Sequence, residues 1–191
     1  MSTNTFNRRG FIESLTKTTV FAATALTLPS AMLAQGKGNP MNSENLTGKA
    51  RIRIRRSPSE VFKVFADANA MSKFWFTRKD AGLKEGETVS WFIGSGENSI
   101  SFEIRVKELK NPNKIVIEWE NGGEYTQVTW SIEGTAEGET ILTIEESGFT
   151  GSRDSIIERA INSTGGFNQV IIAAKALIEH GVELNVVVDH A

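Results

Sequence analysis

The chain contains no cysteine, which removes disulfides, thiolate nucleophiles, cysteine-ligated zinc and lipoprotein-type lipid anchoring together. Histidine is nearly as scarce. His180 and His190 stand alone near the C-terminus, so a histidine metal site or a serine–histidine triad has little to be built from, and no metal or cofactor is expected. Charge of either sign is not in large excess, with 21 basic against 23 acidic residues and a net charge of −2. The first 34 residues set Arg8, Arg9 and Lys17 against Glu13, so the rest carries 18 basic and 22 acidic residues, a charge of −4. A mildly acidic body lacks the cationic footprint that nucleic acid or an anionic membrane requires. The cluster Arg51, Arg53, Arg55 and Arg56 does not change this, because alternation along a strand puts three of them on one solvated face. An apolar run long enough for a stable membrane span is missing as well. The uncharged run Thr18 to Leu33 is diluted by Thr18, Thr19, Thr24 and Thr27.

What is there begins with an address. A polar start with Arg8-Arg9, the uncharged run, and small residues near Ala31 to Ala34 have the three-part organisation of an export signal. Asn7-Arg8-Arg9-Gly10-Phe11-Ile12 resembles the twin-arginine translocation motif, which implies the twin-arginine translocation machinery as a partner and a periplasmic or extracellular destination. An uncleaved amphipathic anchor or a disordered tail is the alternative. The expected boundaries are a signal over 1–34, a linker over 35–48 rich in Gly, Asn, Pro and Ser, and one domain over 49–191. At 191 residues with 39% hydrophobic content, the chain is long enough for one substantial core and short for two.

Within that domain, Ile52 and Ile54 alternate with arginines, the period-two mark of a half-buried strand. Ser57-Pro58-Ser59-Glu60 then reads as a helix start, with Ser57 as cap, Pro58 at the first helical position and Glu60 closing a capping box. Val61, Phe62, Val64 and Phe65 supply its apolar stripe, and a second short helical segment over Asn69 to Phe76 gathers Met71, Phe74, Trp75 and Phe76. Turn signals at 84–87, 94–96, 111–113, 121–123 and 134–138 divide the next stretch into alternating runs ending at Leu142 and Ile144. Short turns between successive strands predict an antiparallel meander. Its apolar face needs a cover, and the segment Thr164 to His180 has Phe167, Val170, Ile171, Ala174, Leu177 and Ile178 at helical spacing. Asn168, Lys175 and Glu179 fall largely on the opposite side, and Gly181 follows as a C-cap with His180 beside it.

The Ser57-Pro58-Ser59-Glu60-Val61-Phe62 start, the Phe74-Trp75 cluster, the strand ending Thr143-Ile144-Glu145-Glu146-Ser147-Gly148-Phe149 and the Gly165-Gly166-Phe167 helix opening occur in an order that resembles the START-like (SRPBCC) superfamily. Within it they look most like the bacterial branch of the family named for the activator of heat-shock-protein-90 ATPase, over roughly Lys49 to Gly181. The resemblance implies an α+β helix-grip fold: a curved antiparallel sheet of about six or seven strands around a long C-terminal helix, with two short helices after the first strand and a cavity between helix and sheet. The superfamily hosts lipid carriers, hormone receptors, polyketide cyclases and chaperone-associated domains, so it implies little about chemistry. A cytosolic co-chaperone role sits awkwardly with an export signal.

Four tryptophans stand in a chain with one tyrosine, and large rings with a polar handle suit the walls of an apolar pocket as well as a plain core. Register against the long helix singles out Trp119 and Trp130 from the sheet, Phe167 and Ile171 from the helix, and Trp75 at the mouth. Glu146 shares a face with Leu142 and Ile144 by alternation, so if those point inward it does too, where it would meet a ligand or serve as general acid or base. The bland reading is that the strand ends or bulges there and Glu146 is wet. Glu118 is read as solvent-facing, and Thr126, Asn168 and Gln169 as ordinary polar residues unless they are aimed into the cavity. Val182 to Val188 reads as a short extended tail packing back on the domain. The leading expectation is an exported domain binding a small hydrophobic or amphipathic molecule. The alternatives are a cyclase- or hydratase-like enzyme relying on Glu146 and a co-chaperone-like interaction domain.

Overall fold

The computed structural model of the protein describes residues 46–94, 99–121, 123–184 and 186. The export signal expected over 1–34, with Arg8 and Arg9, lies outside the described residues, as do most of the linker, His190 and part of the tail over 182–188. Strand β1 (Gly48–Ile54) buries Ala50 and Ile54 and exposes Arg51 and Arg53, as the alternation requires. Helix α1 (Pro58–Ala66) starts on a complete capping box, in which Ser57 Oγ accepts from the Glu60 N–H and Glu60 Oε2 accepts from the Ser57 N–H at 3.0 Å. Asp67 caps α2 (Ala68–Met71), which is shorter than the helical segment expected over Asn69 to Phe76; Phe74 to Phe76 follow it outside the helix.

The remaining strands are β2 (Arg78–Lys79), β3 (Thr88–Ile93), β4 (Ile100–Lys110), β5 (Lys114–Asn121), β6 (Glu124–Gly134) and β7 (Thr140–Ser147). They form a meander, to whose β7 edge β1 adds antiparallel, so the described sheet runs β1-β7-β6-β5-β4-β3-β2. Helix α3 (Arg153–His180) covers the inner face and ends on Gly181, whose φ of 68° is the left-handed cap that glycine adopts without strain. Together these make the helix-grip fold of the START-like type. The inner face packs Phe62 and Phe65 of α1, Phe74, Trp91, Ile104, Ile117, Trp130 and Ile144 into one apolar cluster with Phe167, Val170 and Ile171 of α3. Each such side chain contributes about 1.5–3 kcal/mol through burial.

Three details depart from the expectation. The final helix starts at Arg153 on a Ser152 cap, well before Thr164, and runs straight through Gly165-Gly166. A glycine inside a helix costs about 1 kcal/mol, and burial of Ile156, Ala160, Phe167 and Val170 on either side outweighs it. Glu179 does not point to solvent; its side chain is almost fully enclosed at the start of α1. Burial opposes its charge, but the Lys175 ammonium, the Arg55 N–H at 2.6 Å and the Arg55 guanidinium prevail and hold its carboxyl below the usual range. Gly48, placed in the linker by its composition, is the first residue of β1. A Cβ there would overlap Ser163 Cβ and lie 3.1 Å from the Ala160 carbonyl, so the close approach of β1 to α3 needs glycine.

Candidate functional site

Between the middle of α3 and the β5–β7 end of the sheet is a cavity of about 460 Å³. Trp75, Trp119, Phe167, Val170 and Val186 form its apolar wall, while Asn121, Glu146, Ser163, Asn162 and Gln169 bring polar atoms to it. Asn162, Gly166 and Gln169 are exposed, so the cavity meets solvent along that face of α3. A Cβ at Gly166 would meet nothing within 4 Å, so the glycine borders open volume that a larger residue would enter. The helical spacing of Asn162, Ser163, Gly166, Phe167 and Val170 sets these residues in one stripe facing the sheet.

The polar end is organised around Glu146, which has no accessible surface as a residue. Leu142, Ile144 and Glu146 all face inward, as period two requires. Glu146 pairs in register with Val128; Thr126 is the next inward residue along β6, Trp119 sits opposite Thr126 on β5, and Asn121 is the next inward residue beyond it. That register explains the network. Trp119 Nε1 donates to Glu146 Oε1 at 2.9 Å, Asn121 Nδ2 donates to the same oxygen at 2.8 Å, and Thr126 Oγ1 donates to it as well. From α3, Ser163 Oγ donates to Oε2 at 2.6 Å. An indole N–H can only donate, so this is an acceptor's environment, built from four neutral groups on three secondary-structure elements. Among the described residues no three His, Cys, Asp or Glu side chains gather as metal ligands do.

The aromatic wall is continuous with the core. Trp119 and Phe167 stack at 6.1 Å with 12° between their planes, and Trp75 meets them edge-on at 6.1 and 6.3 Å. Trp75 also touches Trp91 at 5.5 Å and Trp130 at 6.0 Å, linking the cavity to the filled half of the inner face.

Residues 55–177 match the model of the family described as Activator of Hsp90 ATPase homolog 1-like protein. The chain belongs to this family. Among solved structures, the fold is similar to a protein from Staphylococcus saprophyticus (18% identity, TM-score 0.61, covering 73% of this chain and 96% of that one). It is also similar to one from Mesorhizobium loti (17%, 0.60, 71% and 98%) and to the Aha1 dimer from Colwellia psychrerythraea (15%, 0.58, 71% and 97%). No curated protein matches the chain. The family match takes in Glu146, all four of its hydrogen-bond partners and every ring of the aromatic wall.

In this family member, four of the six residues singled out from sequence line the cavity: Trp75, Trp119, Phe167 and Glu146. Trp75 is a buried wall in the middle of the aromatic cluster instead of a mouth residue. Trp130 and Ile171 lie in the packed core, Trp130 against Phe65 at 6.2 Å, because their positions face the filled half under α1. Glu118 is half-exposed and pairs with Lys107 at 3.3 Å, in keeping with its outward register. Gln169 reaches the cavity, whereas Asn168 bonds back to the Thr164 carbonyl at 2.7 Å. Sequence reasoning missed Asn121, Ser163, Gly166 and Gly48. Asn121 sits in a turn signal and Ser163 lies before the expected start of α3, so neither offered a reason for suspicion. A glycine opening the first strand and one in mid-helix were the available hints.

Proposed function

We propose that this chain is an exported domain that binds a small apolar or amphipathic molecule in the space between α3 and the concave sheet. The observation that carries the reading is the cavity itself. Its volume of about 460 Å³ falls within the roughly 300–1,000 Å³ of small-molecule sites, and it joins an aromatic wall to one convergent polar cluster. The mid-helix Gly166 supports the same reading, since it gives up helix stability where a larger side chain would occupy the opening. Export is supported by the arrangement of residues 1–34 around Arg8-Arg9.

Native mass spectrometry of the protein purified from its own host, followed by organic extraction, tests the binding reading. The expected result is a stoichiometric apolar adduct. An empty protein that also fails to take up a neutral apolar fluorophore such as N-phenyl-1-naphthylamine overturns it. The export reading expects Arg8→Lys with Arg9→Lys to hold the protein in the cytoplasm, and equal export of variant and wild type would remove it.

A further inference from the structure

Among the described residues the cavity carries charge of one sign only. Glu146 is the single ionisable side chain among the described lining residues, and the rest are aromatic, aliphatic, amide, hydroxyl or glycine. Its four hydrogen-bond partners are neutral, and no ion pair among the described residues includes it. Arg159, one helical turn before Ser163, is engaged elsewhere, by Glu124 at 3.1 Å and by the carbonyls of Thr150 at 3.2 Å and of Asn121. Neutral donors stabilise a buried carboxylate without cancelling its charge. Oε1 takes three donors and has no position left, whereas among the described residues Oε2 takes only Ser163. Glu146 has no accessible surface while that hydroxyl covers it, so a ligand N–H would reach Oε2 in place of the half-buried Ser163 hydroxyl, which lines the cavity with it. Beside it are the rings of Trp75, Trp119 and Phe167, whose faces carry the negative part of the aromatic quadrupole and attract organic cations.

We propose that the molecule bound here is an organic ammonium: an amine with an aromatic or aliphatic body, whose N–H donates to Glu146 Oε2 while its body lies along the Trp75–Trp119–Phe167 wall. This rests on the cavity-binding reading and sharpens it to a charge class. The same arrangement repels an anionic amphiphile such as a fatty acid, since a second carboxylate would face Glu146 with no cation among the described lining residues between them.

The test uses three probes of one shape, 4-phenylbutylamine, 4-phenylbutanol and 4-phenylbutyrate, titrated into the protein at pH 7 by calorimetry and by tryptophan fluorescence. The amine is expected to bind about tenfold or more tighter than the alcohol, and the carboxylate weaker than both. In Glu146→Gln, which keeps the side-chain shape, the amine is expected to lose its advantage over the alcohol. Equal binding of amine and alcohol, or tighter binding of the carboxylate, overturns the ammonium assignment and leaves the cavity reading standing. An amine preference that survives in Glu146→Gln overturns it as well, whereas no binding of any probe counts against both readings. If Glu146→Gln does not fold, the order of the three probes on the wild type decides alone.

Discussion

Glu146 on β7, one strand in from the β1 edge, and Lys79 on the opposite edge strand β2 are both buried on the face that α3 and the aromatic cluster cover. Glu146 receives four hydrogen bonds from β5, β6 and α3. Lys79 Nζ finds no hydrogen-bond partner among the described residues, only the rings of Phe76 and Trp91 with centroids at 5.5 and 5.6 Å. Burial accordingly pushes the Lys79 ammonium down to about 7. The tryptophans divide the same way: the Trp119 indole N–H is engaged by Glu146, while those of Trp91 and Trp130 have no acceptor among the described residues. One end of the inner face is thus arranged around a charge and left open, and the other is filled with rings that tolerate a charge. The difference is what marks the β5–β7 end as the site, because burial alone would have nominated both.

The comparison is broken most severely by Glu146→Leu, which strands the buried Thr126 donor and three partly buried ones. It is expected to cost about 3–5 kcal/mol, read from the shift in denaturation midpoint. A loss below about 1 kcal/mol would mean that water satisfies those donors and that the end is less enclosed than its burial indicates. Gly48→Ala attacks the same end from β1 by forcing a methyl into Ser163 and is expected to cost about 2 kcal/mol. An unchanged midpoint would show that β1 slides aside freely.

At the other end the sign reverses. Lys79→Met removes an amine with no hydrogen-bond partner among the described residues and should raise stability at pH 6 by about 1–2 kcal/mol. The pH dependence follows from the lowered pKa. Below about 7 the folded protein carries the cost of a buried ammonium, and between about 7 and 10.5 the unfolded chain holds a proton that the folded one has lost. Stability contributed by this group therefore rises with pH across that window, by at most about 1.4 kcal/mol per pH unit. Wild type should gain on Lys79→Met as pH climbs from 7 to 10, and a constant difference between them would remove the buried amine from the account.

The smallest effect on stability is expected at Gly166. Gly166→Leu should gain up to about 1 kcal/mol of helix propensity while closing the opening, so N-phenyl-1-naphthylamine uptake falls as thermal stability holds or rises. Undiminished uptake in a stable variant would place the binding volume elsewhere.

Much of the fold could be read in advance because its signals are local. The capping box at Ser57 and Glu60, the turn residues between strands, the alternation in β5 to β7 and the glycine stop after His180 each act within a few residues. Alternation also sets Glu146 on the side of Leu142 and Ile144, where it is buried. Position along the sheet is a different matter. Trp119 and Trp130 have the same inward pattern, yet one lines the cavity and the other packs against Phe65, since α1 covers only part of the inner face.

By itself, then, the sequence determined which residues face inward and where elements begin and end, because hydrogen-bonding periodicity and capping depend on neighbours in the chain. Tertiary structure decided that Trp119, Asn121, Thr126 and Ser163 converge on one carboxylate, and that β1 comes close enough to α3 to need Gly48. Those contacts join strands to a helix far along the chain. They depend on register and on how closely the helix lies over the sheet, which no local pattern encodes.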